Sequence, residues 1–103
     1  MNLRTVFATV VAASFVSPVL VHANTDERAK ALFVQGAAPP CAVCHTYSAA
    51  GSNGVVGPNL DDLKPTAEAV RLAVTNGVGV MPAYGQTLSS EDIEAIVQFV
   101  AGK

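Results

Sequence analysis

At 103 residues the chain is long enough for one small domain and no more. It has 6 Lys+Arg against 8 Asp+Glu, a formal charge of −2. There is no basic excess or basic cluster of the kind that nucleic acid would require. Hydrophobic residues make up 50% of the sequence, but they are concentrated at its N-terminal end.

That end reads as a leader segment. Arg4 gives a short positive region, residues 5–16 are uncharged and largely apolar, and Ser17-Pro18 breaks the run. Val21-His22-Ala23 then places small or medium side chains where a signal peptidase cuts. The apolar stretch is too short for a comfortable membrane span, although residues 5–21 taken together form the alternative, an uncleaved anchor. The expectation is a signal peptide over residues 1–23 and one domain over residues 24–103, with no membrane span in the mature chain. All eight acidic residues lie in that domain. A domain this small buries a low fraction of its surface and needs a cofactor, metal or crosslink to complete its core.

Residues 24–35 are expected to form a helix, with Asn24 as cap and Glu27 at the reciprocal position. Ala29, Leu32, Phe33 and Gly36 fall at i, i+3, i+4 and i+7, one stripe. Pro39-Pro40 ends it and excludes helical backbone just before Cys41, where a short turn begins. Residues 46–65, with three glycines and two prolines, read as irregular loop. Thr66 caps a helix over residues 67–75, which Asn76-Gly77 terminates. Residues 78–87 form a second extended loop containing Met81-Pro82. Ser89 opens the last helix, with Asp92 at the box position, Leu88 and Ile93 as a staple, and Ile93, Ile96, Val97 and Val100 as its buried stripe. No alternating strand pattern is present. The fold class is all-α: three main helices and two long loops, and loops that long carry function in a compact domain.

Cys41-Ala42-Val43-Cys44-His45 is C-x-x-C-H, the attachment sequence for covalent haem. Two thiols about one helical turn apart reach two vinyl groups of a porphyrin, and the adjacent imidazole comes to lie under the iron. Three other readings compete. A thioredoxin-like redox pair expects a βαβ context; a structural zinc site needs four ligands where only Cys41, Cys44 and His45 are on offer; a disulfide between the two cysteines closes too small a loop to stabilise much. Single occupancy favours haem. After Ala23, His45 is the one histidine and Met81 the one methionine, and His/Met is the ligand pair that raises the reduction potential in cytochromes c. Pro82 holds Met81 extended, in a loop rather than on a helix stripe.

With these residues the chain resembles the class I mono-haem cytochromes c over nearly all of residues 25–101. Cys41 to His45, Gly57-Pro58-Asn59-Leu60 and Asn76-Gly77 through Met81-Pro82-Ala83 come in that family's order. The resemblance implies the small cytochrome c fold, one covalent haem c on Cys41 and Cys44, His45 and Met81 as iron ligands, and the Pro58 carbonyl as hydrogen-bond acceptor for the His45 ring. It also implies a first helix crossing the last, with Ala29, Phe33 and Phe99 at the contact. Ala29 stands where the family often has glycine, and the chain is shorter than mitochondrial members, which implies a more exposed ring edge. The implied function is electron transfer without catalysis, in the periplasm, by a protein that is monomeric when free. The implied partners are redox proteins: a periplasmic dehydrogenase as donor, by general likeness one of the sulfite-oxidising molybdenum type, and a terminal oxidase or another cytochrome as acceptor. The alternatives are a haem catalyst or ligand sensor with a labile Met81, and a permanent cytochrome subunit of a dehydrogenase.

Other side chains invite weaker readings. Tyr47 and Tyr84 are expected to pack against the ring rather than bond its propionates. Asp61-Asp62 is expected to be a solvated turn rather than a docking patch. Lys64 and Arg71 are the lesser candidates for pairing propionates.

Overall fold

The computed structural model describes residue 6, residues 8–17 and residues 21–102. Within the expected leader, residues 8–17 form neither helix nor strand and are exposed, Phe15 at 94%. Arg4 and Pro18 lie outside the described residues. The domain is mostly helical: α1 (Val21–Ala31), α2 (Cys41–Cys44), β1 (Thr46–Tyr47), β2 (Ser52–Asn53), α3 (Leu60–Leu63), α4 (Ala67–Asn76) and α5 (Ser90–Ala101).

Helix α1 starts at Val21, three residues before the expected cap, so Asn24 sits within the helix. Nothing between Val21 and Asn24 breaks a helix, and Ala23 is a strong helix former. After Ala31 the helix widens to a π-turn over Leu32–Gly36, closed by the Ala37 amide donating to the Leu32 carbonyl at 2.9 Å. A π-turn adds one residue to the repeat. The apolar stripe therefore moves by one position: Ala29 and Phe33 are buried as expected, but Gly36 is exposed and Ala37 takes its place at 1% exposure.

Helices α4 and α5 begin where their caps dictate. The Thr66 hydroxyl accepts from the Ala69 amide and the Ser89 hydroxyl from the Asp92 amide, each such bond being worth about 1 kcal/mol. The Asp92 carboxylate pairs with Arg28 of α1 instead of closing the box. Gly77 ends α4 with φ +74°, its amide donating to the Ala73 carbonyl at 2.8 Å.

Helix α5 packs against both α1 and α4 and has two buried faces. Ile93, Ile96 and Val97 join Val70 and Val74 of α4 in one cluster, against which Leu88 packs. Ala95 and Phe99 join Ala29, Phe33 and Tyr47 in a second. In the second cluster Phe33, Tyr47 and Phe99 meet at ring-centroid distances of 5.3–5.9 Å, two pairs edge-on, an arrangement worth about 0.5–1.5 kcal/mol per pair beyond burial. The small Ala29, fully buried, lets α1 approach α5.

The segment 46–65 is more ordered than its glycines and prolines suggest. Thr46 and Tyr47 pair antiparallel with Asn53 and Ser52, and the Ser52 hydroxyl accepts from the Tyr47 amide at 3.1 Å. Asn59 caps α3 by accepting from the Asp61 and Asp62 amides. A further bridge links Val78 to Met81. The expectation of no strand fails here because two-residue strands are too short to leave an alternating pattern.

Candidate haem site

Helix α2 carries the C-x-x-C-H segment. Pro40 precedes it in extended conformation and the His45 amide closes it by donating to the Cys41 carbonyl at 2.9 Å. This single turn faces a cavity of about 530 Å³, within the range of small-molecule and cofactor sites. Cys41, Cys44 and His45 line one wall, with Gly57 and Pro58 beside them. Val70 and Val74 of α4 and Ile96 of α5 form the back, and Met81, Pro82 and Tyr84 come from the loop after α4. The two motifs singled out in the sequence thus meet across one apolar space, 36 positions apart in the chain.

The imidazole is held in one orientation. His45 Nδ1 donates to the Pro58 carbonyl at 2.7 Å; a carbonyl only accepts, so Nδ1 carries the proton and Nε2 keeps its lone pair. A Cβ at residue 57 would lie 2.6 Å from Cε1 of that ring. The loop also encloses the main chain of the motif: the Gly57 amide donates to the Cys44 carbonyl at 2.7 Å, and the Ser52 hydroxyl to the His45 carbonyl at 2.8 Å.

Met81 sits in a tight turn, its amide donating to the Val78 carbonyl at 2.8 Å and the Val78 amide returning to its carbonyl at 3.1 Å. The turn closes onto Gly77, where a Cβ would meet the Met81 carbonyl oxygen at 2.6 Å.

The competing readings of the cysteines find little here. Both thiols are free, and burial pushes the Cys41 thiol up to about 11, opposite to the lowered value of a redox-active cysteine. Among the described residues no group of three or more His, Cys, Asp and Glu side chains gathers for a metal ion.

Other candidates are elsewhere engaged. Tyr47 is absent from the cavity wall, a correction to the expectation that it packs on the ring: the aromatic cluster and a 2.7 Å bond from its hydroxyl to the Phe99 carbonyl hold it behind α5. Tyr84 does line the cavity, and its hydroxyl donates to the Pro39 carbonyl at 2.6 Å. Arg71 bonds Glu68 and Glu94, and Lys64 lies off the cavity wall. Asp61 is structural, accepting from the Ser48 amide and hydroxyl. Sequence reasoning named Gly57 within the Gly57-Pro58-Asn59-Leu60 run but gave it no role, and it missed Ser52 and the Tyr84–Pro39 bond.

A model of the family described as cytochrome C oxidase, cbb3-type, subunit III matches residues 24–100. The chain belongs to that family of c-type cytochrome domains. The cytochrome is 41% identical over 64 residues to cytochrome c6 of Microcystis aeruginosa, covering 58% of this chain and 79% of the relative. It is 28% identical over 72 residues to cytochrome c-551 of Halorhodospira halochloris, covering 69% of this chain and 91% of the relative. The crystal structure of the c-type cytochrome SorU from Sinorhizobium meliloti superposes with a TM-score of 0.73 at 45% identity, over 78% of this chain and 91% of that one. The cytochrome has the small cytochrome c fold, its cofactor is a covalent haem c, and it functions in electron transfer. The residues present fit that group: an apolar cavity of suitable size, two free thiols on its wall and a nitrogen lone pair beside them. Among the described residues no helix is long and apolar enough to cross a membrane.

Proposed function

We propose that this cytochrome is a periplasmic one-electron carrier whose haem iron is ligated by Nε2 of His45 and the sulfur of Met81. The observation that carries the reading is the common cavity of about 530 Å³ onto which Cys41, Cys44, His45 and Met81 all converge. Bound there, the haem supplies an Fe(III)/Fe(II) couple. The Pro58 carbonyl, by accepting from Nδ1, fixes the ring and raises its basicity as a ligand. The thioether of Met81 favours the reduced metal and so a high potential. The valines and Ile96 of the back wall exclude water and keep the local dielectric low. Held by both His45 and Met81, a bound haem would offer its iron to no substrate, which makes the protein a carrier rather than an enzyme.

Residues 1–23 are the removable export signal, consistent with the exposed, irregular residues 8–17. The donor is a periplasmic dehydrogenase, a sulfite-oxidising one by likeness to small bacterial carriers; the acceptor is a terminal oxidase or another cytochrome. The free protein is a monomer.

The decisive experiment is an absorbance spectrum of the purified holoprotein. A low-spin spectrum with a weak near-infrared sulfur-to-iron band in the oxidised form, absent in Met81→Ala, is expected. A high-spin iron, or rapid binding of carbon monoxide by the reduced wild type, selects the catalyst or sensor reading instead. Intact mass of the purified protein should correspond to a chain starting at Asn24 plus one haem.

A further inference from the structure

Tyr84 closes the loop that carries Met81. Its amide donates to the Val74 carbonyl at 2.8 Å, and its carbonyl accepts from the Leu88 amide at 2.9 Å, so its main chain is fixed at the end of α4. Its side chain, 4% exposed, reaches the opposite wall of the cavity, where the hydroxyl meets the Pro39 carbonyl two residues before Cys41. Among the described residues no other hydrogen bond joins the 77–88 loop to the 37–45 segment. The Val78–Met81 turn is internal to the loop: it sets the shape around Met81 but does not tie it to the far wall.

We infer that the Tyr84 hydroxyl is a strap, holding the Met81 loop against the wall that bears Cys41 and thereby governing how often the Met81 sulfur leaves the iron. Tyr84 is a positioning residue, and the inference rests on the His45/Met81 ligation proposed above. Opening the loop separates the hydroxyl from the Pro39 carbonyl, so the bond stabilises the closed loop specifically. Tyr84→Phe keeps the ring in its packing and deletes that bond alone.

The test is the rate at which imidazole replaces the sulfur in oxidised holoprotein, followed by loss of the near-infrared band. Tyr84→Phe should bind imidazole about tenfold faster than wild type, a factor equivalent to about 1.4 kcal/mol, with an unchanged far-ultraviolet circular dichroism spectrum. The control is Tyr47→Phe, which deletes a buried hydroxyl bond, to the Phe99 carbonyl at 2.7 Å, away from the cavity. It should lower the thermal midpoint by a similar amount and leave the imidazole rate at the wild-type value. An unchanged rate in Tyr84→Phe, or an equal rise in Tyr47→Phe, overturns the strap and makes the hydroxyl a general stabiliser. A wild type without the band, binding imidazole no more slowly than Met81→Ala, overturns the ligation reading and the strap with it.

Discussion

Gly57 and the His45 imidazole are in direct apposition: a Cβ on residue 57 would stand 2.6 Å from Cε1, 2.9 Å from Nδ1 and 3.0 Å from Nε2. The next residue, Pro58, supplies the carbonyl that accepts from Nδ1. One stretch of main chain therefore both makes room for the ring and orients it. On the loop side the Gly57 amide is itself tied to the motif, donating to the Cys44 carbonyl at 2.7 Å.

Gly57→Ala should accordingly act on the iron more than on the fold. The methyl forces the imidazole to tilt and stretches the bond to Pro58, weakening a contact of a kind whose loss costs 10- to roughly 100-fold in metal-site function. The expected outcome is a shifted Soret band, a changed midpoint potential and a partly high-spin oxidised form, with helix content retained. An unaltered spectrum would show that the ring or loop gives way without consequence.

Replacing both Cys41 and Cys44 by alanine should abolish retention of haem through acid–acetone extraction and denaturing electrophoresis, which the wild type survives. The fold should suffer as well. The cavity walls include Val70, Val74 and Ile96, which are buried core residues, and without a tethered ring that apolar surface faces water. Circular dichroism and thermal melts of the double variant should report a largely unfolded chain.

The local parts of this molecule were legible because their signals are local. Thr66 and Ser89 cap as their sequences require, and Cys41, Cys44, His45 and Met81 stand out because the domain offers one histidine and one methionine. Pro58 was legible only through family resemblance, since a carbonyl acceptor leaves no mark in side-chain chemistry. What stayed hidden depends on partners far along the chain or on backbone that sequence pattern does not encode. The π-turn exchanges Gly36 for Ala37 in the core without a breaker residue to announce it. Tyr47 turns away from the cavity because Phe33 and Phe99 hold it. The bond from Tyr84 to Pro39 spans 45 positions.

Arg71 illustrates a basic residue of α4 whose charge is already committed. Its guanidinium bonds Glu94 and Glu68, and the hydrogen bonds from Arg71 and Gln98 hold the Glu94 carboxyl below its ordinary range. A lowered carboxyl contributes stability above its unfolded value, lost as pH falls through the lowered one. Arg71→Ala should therefore differ from wild type in thermal midpoint slightly at neutral pH and not at all below the carboxylate range. The difference should shrink with added salt, since all three groups face solvent. The midpoint potential should be unchanged, because Arg71 does not line the cavity; a shifted potential would mean that its charge reaches the haem after all.

The surface around the cavity mouth decides how a partner approaches. Val43 and Ala83, next in the chain to cavity-lining Cys44 and Pro82, are exposed, and Val56, Val78 and Val80 line the cavity itself, whereas acidic residues gather elsewhere, Glu91 and Asp92 in the first turn of α5 and Asp26 and Glu27 midway along α1. In α5 the carboxylates have a local reason to be there, since negative charge is stabilised at a helix N-terminus. The apolar rim is thus the better site for a small, transient redox interface, with the net charge supplying modest steering. Electron transfer from the natural donor should depend only mildly on ionic strength in stopped-flow measurements. Ala83→Glu should slow it by about tenfold or more, because burying an unpaired carboxylate in such a contact costs more than the 1.4 kcal/mol that factor represents. A steep fall in rate with salt, together with a harmless Ala83→Glu, would move the interface from the apolar rim to these acidic residues.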